Sequence, residues 1–169
     1  RSLGIPLLTL EEAGELDLTI DGADEFDTNF DLIKGGGGAL TREKRVAEAS
    51  KAMLVVADDR KQVDVLGAFD LPMEVIASDW EAVRNRMLEI CPGEVRLRGG
   101  DAPYLTDNGG YILDCGFGPT ISDPEALESQ ILSVSGLVEV GLFVGICDAV
   151  VMATSTGVST LVKGNGRLS

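Results

Sequence analysis

The sequence contains no histidine. No Ser-His-Asp or Cys-His nucleophile system can form within this chain, and no imidazole can ligate a metal. Proton chemistry must fall to carboxylates, helped by Lys, Tyr or Cys. Positive charge is scarce too. The 14 Lys and Arg residues stand against 28 Asp and Glu, for a net charge of −14. A surface of that sign repels phosphate backbones and anionic membranes, so neither nucleic acid nor lipid is an expected partner. Cysteine is sparse and odd in number: Cys91, Cys115 and Cys147. Wide spacing without a C-x-x-C pair argues against a disulfide framework and against a zinc site. Three half-buried thiols in a reducing cytosol are expected instead. Long hydrophobic runs are absent. Val140–Cys147 is too short to span a bilayer and stops at Asp148. Residues Arg1–Pro6 have no apolar h-region, and the expectation is a cytoplasmic protein.

What remains is ordinary globular composition. A chain of 169 residues, 44% hydrophobic and 25% charged, suits one domain or a domain with a small insertion. The charges are segregated. From Ser2 to Ile33 there are nine acids and no base; from Lys34 to Lys61 there are seven bases and four acids. That juxtaposition suggests a site with both signs.

Periodicity and turn residues give the coarse elements. Leu16–Ile20 alternates and predicts a strand running into an acidic loop, Asp21–Asp27. Lys34 leads into four glycines, Gly35–Gly38. Thr41 is the expected cap of a helix reaching about Lys51, and Met53–Ala57 reads as a buried strand. This alternation indicates an α/β sheet with crossover helices.

The middle differs. Met73–Ile76 predicts a strand. Ser78 and Glu81 suggest a capping box for a helix with apolar face Trp80, Val83, Met87 and Leu88. Glu94–Arg98 and Tyr111–Cys115 predict strands, with Asp107–Gly110 as a hairpin turn. Ser122–Glu125 starts a helix with Pro124 in its first turn, and Leu137–Phe143 closes with a strand. Strand, helix, strand, strand, helix, strand is the ferredoxin-like order. The expected fold is therefore α/β, a Rossmann-like open sheet with an inserted ferredoxin-like α+β subdomain. Residues 71–140 form the subdomain, and 1–70 with 141–169 form the α/β domain. The stretch Ala149–Ala153 and Thr156–Ser159 returns to α/β style, and the tail after Lys163 is expected to fray.

Four features could carry chemistry. Asp21-Gly-Ala-Asp-Glu25 follows a strand end, where open α/β sheets bind ligands. Asp21 and Asp24 could converge on a polyol; a solvated acidic turn is the competing reading, and the spacing misses the calcium-loop pattern. In Lys34-Gly35-Gly36-Gly37-Gly38, unhindered N–H groups at a helix entrance could form an anion nest, although a flexible linker would share the composition. It is no Walker loop, because the Lys precedes the glycines. Glu43, in the first turn of the next helix, shares a face with Val46, Ala47 and Ser50. It could act as a general base or simply complement the helix dipole. Lys61, beyond the end of the buried strand, could meet a phosphate or hydroxyl, or remain a solvated surface lysine.

Together these residues resemble the type A ribose-5-phosphate isomerase family. The matching strings are Ile20–Glu25, Leu32–Lys44, Val56–Lys61, Leu71–Ile76, Thr106–Gly109 and Gly141–Phe143, in family order along almost the whole chain. The resemblance implies interconversion of D-ribose 5-phosphate and D-ribulose 5-phosphate in the pentose phosphate pathway, with no metal and no cofactor. It implies that Glu43 moves a proton between C1 and C2. Asp21 would serve ring opening and hydroxyl proton transfer. Asp24 and Lys34 would orient the sugar and balance charge, and the backbone amides of Gly35, Gly36 and Gly37 would bind its oxygens. Gly22, Ala23 and Lys61 would complete the substrate contacts. A homodimer or homotetramer is implied as well.

Family members also carry a Thr-Gly-Ser-Thr phosphate loop ahead of these strings, and no such string precedes Asp21. The expectation is a fragment without the N-terminal part of the sheet, weakly active or inactive alone. Two other readings compete: a non-catalytic sugar-phosphate sensor domain, which would not need Glu43, and an acidic metal-binding module.

Overall fold

A computed structural model describes residues 3–168. A one-turn helix comes first, α1 (Leu10–Ala13), closed by a reciprocal capping box between Thr9 and Glu12. It lies outside the elements expected above. Then follow β1 (Thr19–Asp21), β2 (Glu25–Phe26), β3 (Leu32–Ile33), α2 (Leu40–Glu48) and β4 (Met53–Asp58). A 3-10 turn, Asp59–Lys61, ends this stretch. Next come β5 (Leu71–Val75), α3 (Trp80–Met87), β6 (Val95–Leu97), β7 (Tyr111–Cys115), α4 (Pro124–Leu132) and β8 (Leu137–Val140). The chain closes with β9 (Leu142–Phe143), β10 (Ala149–Thr154) and β11 (Gly157–Val162). Among the described residues, no helix is long and apolar enough to cross a membrane.

Three sheets result. The first runs β1-β4-β10-β11, parallel except for the final hairpin, with α2 on the crossover between β1 and β4. The last runs β6-β7-β5-β8 and is antiparallel throughout. Numbered along the chain, its strands stand in spatial order 4-1-3-2, with α3 and α4 as the two crossovers, which is the ferredoxin-like arrangement. Both parts of the expected α/β fold are thus observed.

Between them lies a three-stranded antiparallel sheet, β2-β3-β9, which the sequence reading did not contain. Its strands are two residues long, too short for alternation to register. It nevertheless divides the interior. Successive side chains of a strand point to opposite faces. Leu32 and Phe143 enter the core beside β4 and β10. Their neighbours Ile33 and Leu142 enter the core of the antiparallel sheet. All four are fully buried, each contributing roughly 1.5–3 kcal/mol of transfer free energy.

Several local expectations need correction. The first strand starts at Thr19 and extends through Asp21, while Leu16 forms only an isolated bridge with Ser50. Helix α2 ends at Glu48, and its N-cap is Ala39, without a side-chain cap. Thr41 is buried inside the first turn, where its hydroxyl donates to Glu74. The helix α3 has Asp79 at its N-cap and no capping box; the Ser78 hydroxyl instead donates to the Asp79 carboxylate. Val83 and Met87 are buried, but Leu88 is exposed. The Thr106–Gly110 turn does precede β7, yet β6 ends at Leu97, so the connection is a long loop rather than a tight hairpin. The expected strand Leu137–Phe143 is two strands in different sheets, broken at Gly141. There the backbone of Lys34 donates to the Gly141 carbonyl at 2.9 Å, and a Cβ on Gly141 would collide with the Lys34 carbonyl. The tail after Lys163 is not frayed as far as Arg167, whose amide and guanidinium both donate to Asp148. All three cysteines are buried rather than half-buried.

Helix α4 starts as expected, with Pro124 following the N-cap Asp123, whose carboxylate accepts from the Ala126 amide.

Candidate active site

Strand alternation aims the first carboxylate. Thr19 and Asp21 share the face of the first sheet that Met53 and Val55 turn toward α2. Asp21 thus leaves the carboxyl end of β1 beside the helix that carries Glu43. Lys34 arrives from the end of β3, fixed by its backbone bond to Gly141. Its side chain is only 4% exposed. The ammonium makes three contacts: Gly22 carbonyl at 2.6 Å, Asp21 Oδ2 at 2.9 Å and Glu43 Oε2 at 3.2 Å. It also lies 5.4 Å from the centroid of the buried Phe143 ring, a cation–π contact.

The glycine run closes the site. Gly35 has φ of +111°, a conformation open to glycine and costly for other residues. The Gly38 amide donates to the Gly35 carbonyl, turning the chain back into α2. The Gly36 amide donates to Asp24 Oδ2 at 2.7 Å, and a Cβ there would approach Asp24 Oδ1 to 2.6 Å. Gly37 faces open space.

Asp21, Gly22, Ala23, Asp24, Lys34, Gly35, Gly37 and Glu43 together line one cavity of about 220 Å³. Eight of the ten residues singled out in the sequence therefore meet in one place. Two do not line it. Gly36 turns its amide to Asp24 and borders a neighbouring cavity with Arg96 and Arg98. Lys61 borders another cavity, shared with Asp24, Glu25 and Phe69, so it stands on the far side of Asp24.

A distant residue sets the electrostatics of Glu43. The buried stripe of α2 is Leu40, Thr41, Lys44 and Ala47, which leaves Glu43 at its rim with its side chain 31% exposed. Its basic neighbours in sequence turn elsewhere, Arg42 to Asp107 and Lys44 to Glu128 and Glu139. The cation that reaches Glu43 is Lys34, nine positions away. Between Asp21 and Glu43, where a metal-binding module would place its ion, stands an ammonium. Among the described residues, no group of three or more Cys, Asp or Glu is arranged to hold a metal.

Sequence reasoning missed the supports. Lys44, its side chain 3% exposed, sits between Glu128 and Glu139 at 2.7 Å from each and 5.3 Å from the Phe143 ring. Glu74 is 1% exposed and accepts from Thr41, Thr106 and Asn108, tying the start of α2 to β5. Its position inside an apolar strand was the one available signal, since a buried carboxylate needs partners. Arg98 reaches the glycine run from the loop after β6, at 3.0 Å from the Gly35 carbonyl and 3.2 Å from that of Gly36.

The arrangement couples a half-exposed carboxylate, a buried cation and a loop of unhindered amides around a cavity of small-molecule size. Such a site can move a proton while charge develops on a neighbouring oxygen.

Comparison with known proteins agrees in family. The model of ribose 5-phosphate isomerase A (phosphoriboisomerase A) matches residues 1–157. A ribose-5-phosphate isomerase A of Cereibacter sphaeroides is 51% identical over 93% of this chain, and one of Methylorubrum extorquens is 51% identical over 98%. The chain spans 65% of the length of the first and 72% of the second. A solved D-ribose-5-phosphate isomerase in complex with phospho-erythronic acid superposes with a TM-score of 0.88 at 40% identity, covering 94% of this chain and 70% of that one. The Neisseria gonorrhoeae ribose 5 phosphate isomerase A superposes with a TM-score of 0.87 at 36% identity, with the same coverage. Matched by the family model over most of its length, and sharing about half its residues and its fold with these proteins, the chain belongs to the ribose 5-phosphate isomerase A family.

Proposed function

We propose that this chain carries the proton-transfer site of an aldose–ketose isomerase that interconverts D-ribose 5-phosphate and D-ribulose 5-phosphate, a step of the pentose phosphate pathway. The observation that supports it best is the Lys34 ammonium held between Asp21 and Glu43. Glu43 takes the proton from C2 of the open-chain aldose, and the carbonyl oxygen on C1 gains the negative charge of an enediolate. Lys34 and the amides of Gly35 and Gly37, the two glycines of the run that line the cavity, offset that charge. Glu43 then returns the proton to C1, while the O2 proton passes to O1. Asp21, bonded to Lys34, serves ring opening and hydroxyl proton transfer. Asp24 fixes the glycine loop and orients the sugar with Lys34, and Lys61 reaches the substrate from beyond Asp24. No cofactor takes part.

The proposal extends to a cytoplasmic homodimer or homotetramer, and to residues 71–140 as a subdomain inserted between 1–70 and 141–169. It also includes weak turnover by these 169 residues alone, which span 65% of the length of the Cereibacter sphaeroides relative.

The test is to incubate the chain with D-ribose 5-phosphate and follow the ketose formed, beside a full-length relative. Binding of phospho-erythronic acid is measured in parallel. Ketose formation, slower than the relative's, supports the reading. Absence of both turnover and binding overturns it, and turnover equal to the relative's overturns the expectation of weak activity.

A further inference from the structure

Four consecutive glycines carry no side chains, and within the loop the turn hydrogen bond from the Gly38 amide to the Gly35 carbonyl, at 3.0 Å, orients one peptide plane. Two outside groups act on the loop as well. On one side the Gly36 amide donates to Asp24 at 2.7 Å. On the other, a single guanidinium nitrogen of Arg98, Nη1, donates to the Gly35 carbonyl at 3.0 Å and to the Gly36 carbonyl at 3.2 Å. The rest of the guanidinium is fixed by a bidentate pair with Asp114, Nε to Oδ2 at 2.9 Å and Nη2 to Oδ1 at 2.5 Å. Asp114 belongs to β7, and both side chains are about four-fifths buried, at 19% and 18% exposure.

The carbonyl and the N–H of one trans peptide point in opposite directions. Drawing the Gly35 carbonyl toward Arg98 therefore turns the Gly36 amide toward Asp24. Drawing the Gly36 carbonyl the same way turns the Gly37 amide away from Arg98, and Gly37 lines the cavity with Lys34 and Glu43. A positive group behind the carbonyls also polarises both peptides and strengthens their amides as donors.

We infer that Arg98, held by Asp114, is a positioning residue that sets the peptide orientation of the glycine loop and so shapes its oxygen-binding amides. The inference rests on the isomerase reading for its catalytic consequence, but its structural content does not. Arg98 touches no reacting atom; it acts through Gly36 and Gly37. It also makes the antiparallel sheet a working part of the site, because β7 supplies the carboxylate that aims the guanidinium.

The experiment compares Arg98→Met, Arg98→Lys and the control Arg96→Met, whose residue pairs with Asp70 on the surface. Amide hydrogen exchange at Gly36, Ile112 and Leu113 is read in the unliganded chain. In Arg98→Met, exchange at Gly36 should rise about tenfold or more while Ile112 and Leu113 keep their protection. Affinity for phospho-erythronic acid and kcat should each fall about tenfold, with partial recovery of kcat on adding methylguanidinium. Arg98→Lys keeps the charge without the fork and should fall between, which keeps the test open should the Met variant not fold. Arg96→Met should match the parent. Unchanged Gly36 exchange in both Arg98 variants overturns the inference. So does loosening of Ile112 and Leu113 together with Gly36, which marks a merely structural role. A parent chain that neither turns over nor binds, with Gly36 exchange still rising in Arg98→Met, overturns the isomerase reading and upholds the clamp.

Discussion

The Lys34 ammonium lies 3.2 Å from the Glu43 carboxylate, although the two residues enter from different elements, β3 and α2. The same ammonium reaches Asp21 at 2.9 Å. One buried cation thus serves two carboxylates. Replacing Lys34 with Met should leave Asp21 and Glu43 facing each other without a counter-charge. We expect kcat/KM to fall by about a hundredfold or more, the scale of losing one charge-stabilising donor. Steady-state kinetics of Lys34→Met check this, and a loss under tenfold would show that the cation does not work in the transition state.

Lys44 gives the contrasting case. It is as buried as Lys34 and paired with two carboxylates, but Glu128 and Glu139 stand away from the cavity. Removing one member of a buried pair leaves uncompensated charge, at about 3–5 kcal/mol. Lys44→Met should therefore lower the denaturation midpoint strongly. Turnover per folded molecule should fall far less than in Lys34→Met. Chemical denaturation and active-site titration separate the two effects.

Two adjacent glycines should respond differently. A Cβ on Gly36 meets the Asp24 carboxylate at 2.6 Å, whereas one on Gly37 meets nothing within 4 Å. Gly36→Ala should push Asp24 off its amide and cost about 1–3 kcal/mol as well as ligand affinity. Gly37→Ala should leave the fold within about 0.5 kcal/mol of the parent. Thermal unfolding and calorimetric titration with phospho-erythronic acid give both quantities; equal effects at the two positions would contradict the geometry.

Stability at low pH follows from Asp148. Burial pushes its carboxyl up, but the hydrogen bonds from Arg167 and the Met53 amide outweigh that and hold it below the usual carboxylate range. A depressed folded-state pKa contributes stability that is complete above the unfolded value of about 3.9 and is lost as pH falls through the folded value. Arg167→Ala should cost about 1–2 kcal/mol at pH 7, and the difference from the parent should shrink as the pH is lowered below about 4. Denaturation curves across that range check the sign.

The candidate site was more legible than the scaffold. Asp21, Asp24, Lys34 and Glu43 could be found because charge of both signs abuts a glycine run that no ordinary element tolerates. Alternating segments such as Glu94–Arg98, which contains β6, were legible for the same reason that periodicity works at all. The β2-β3-β9 sheet was not, since two-residue strands leave no period to detect, and its pairing is set by distant partners. Caps misled where tertiary partners outbid local ones. Thr41 gives its hydroxyl to Glu74, thirty-three residues away, rather than to its own helix. Arg98 and Lys44 escaped notice because each looks like one more surface cation until its distant carboxylates are placed around it.

The central claim is that the Glu43 carboxylate carries the proton between C1 and C2. Its most direct test is Glu43→Gln, measured for both isomerisation and binding of phospho-erythronic acid. The account predicts that turnover falls by about 10²–10⁴-fold, the usual worth of a general base, while affinity stays within a few fold of the parent. A Glu43→Gln chain that isomerises at the parent rate, or that binds as a sensor with no turnover to lose, would contradict it.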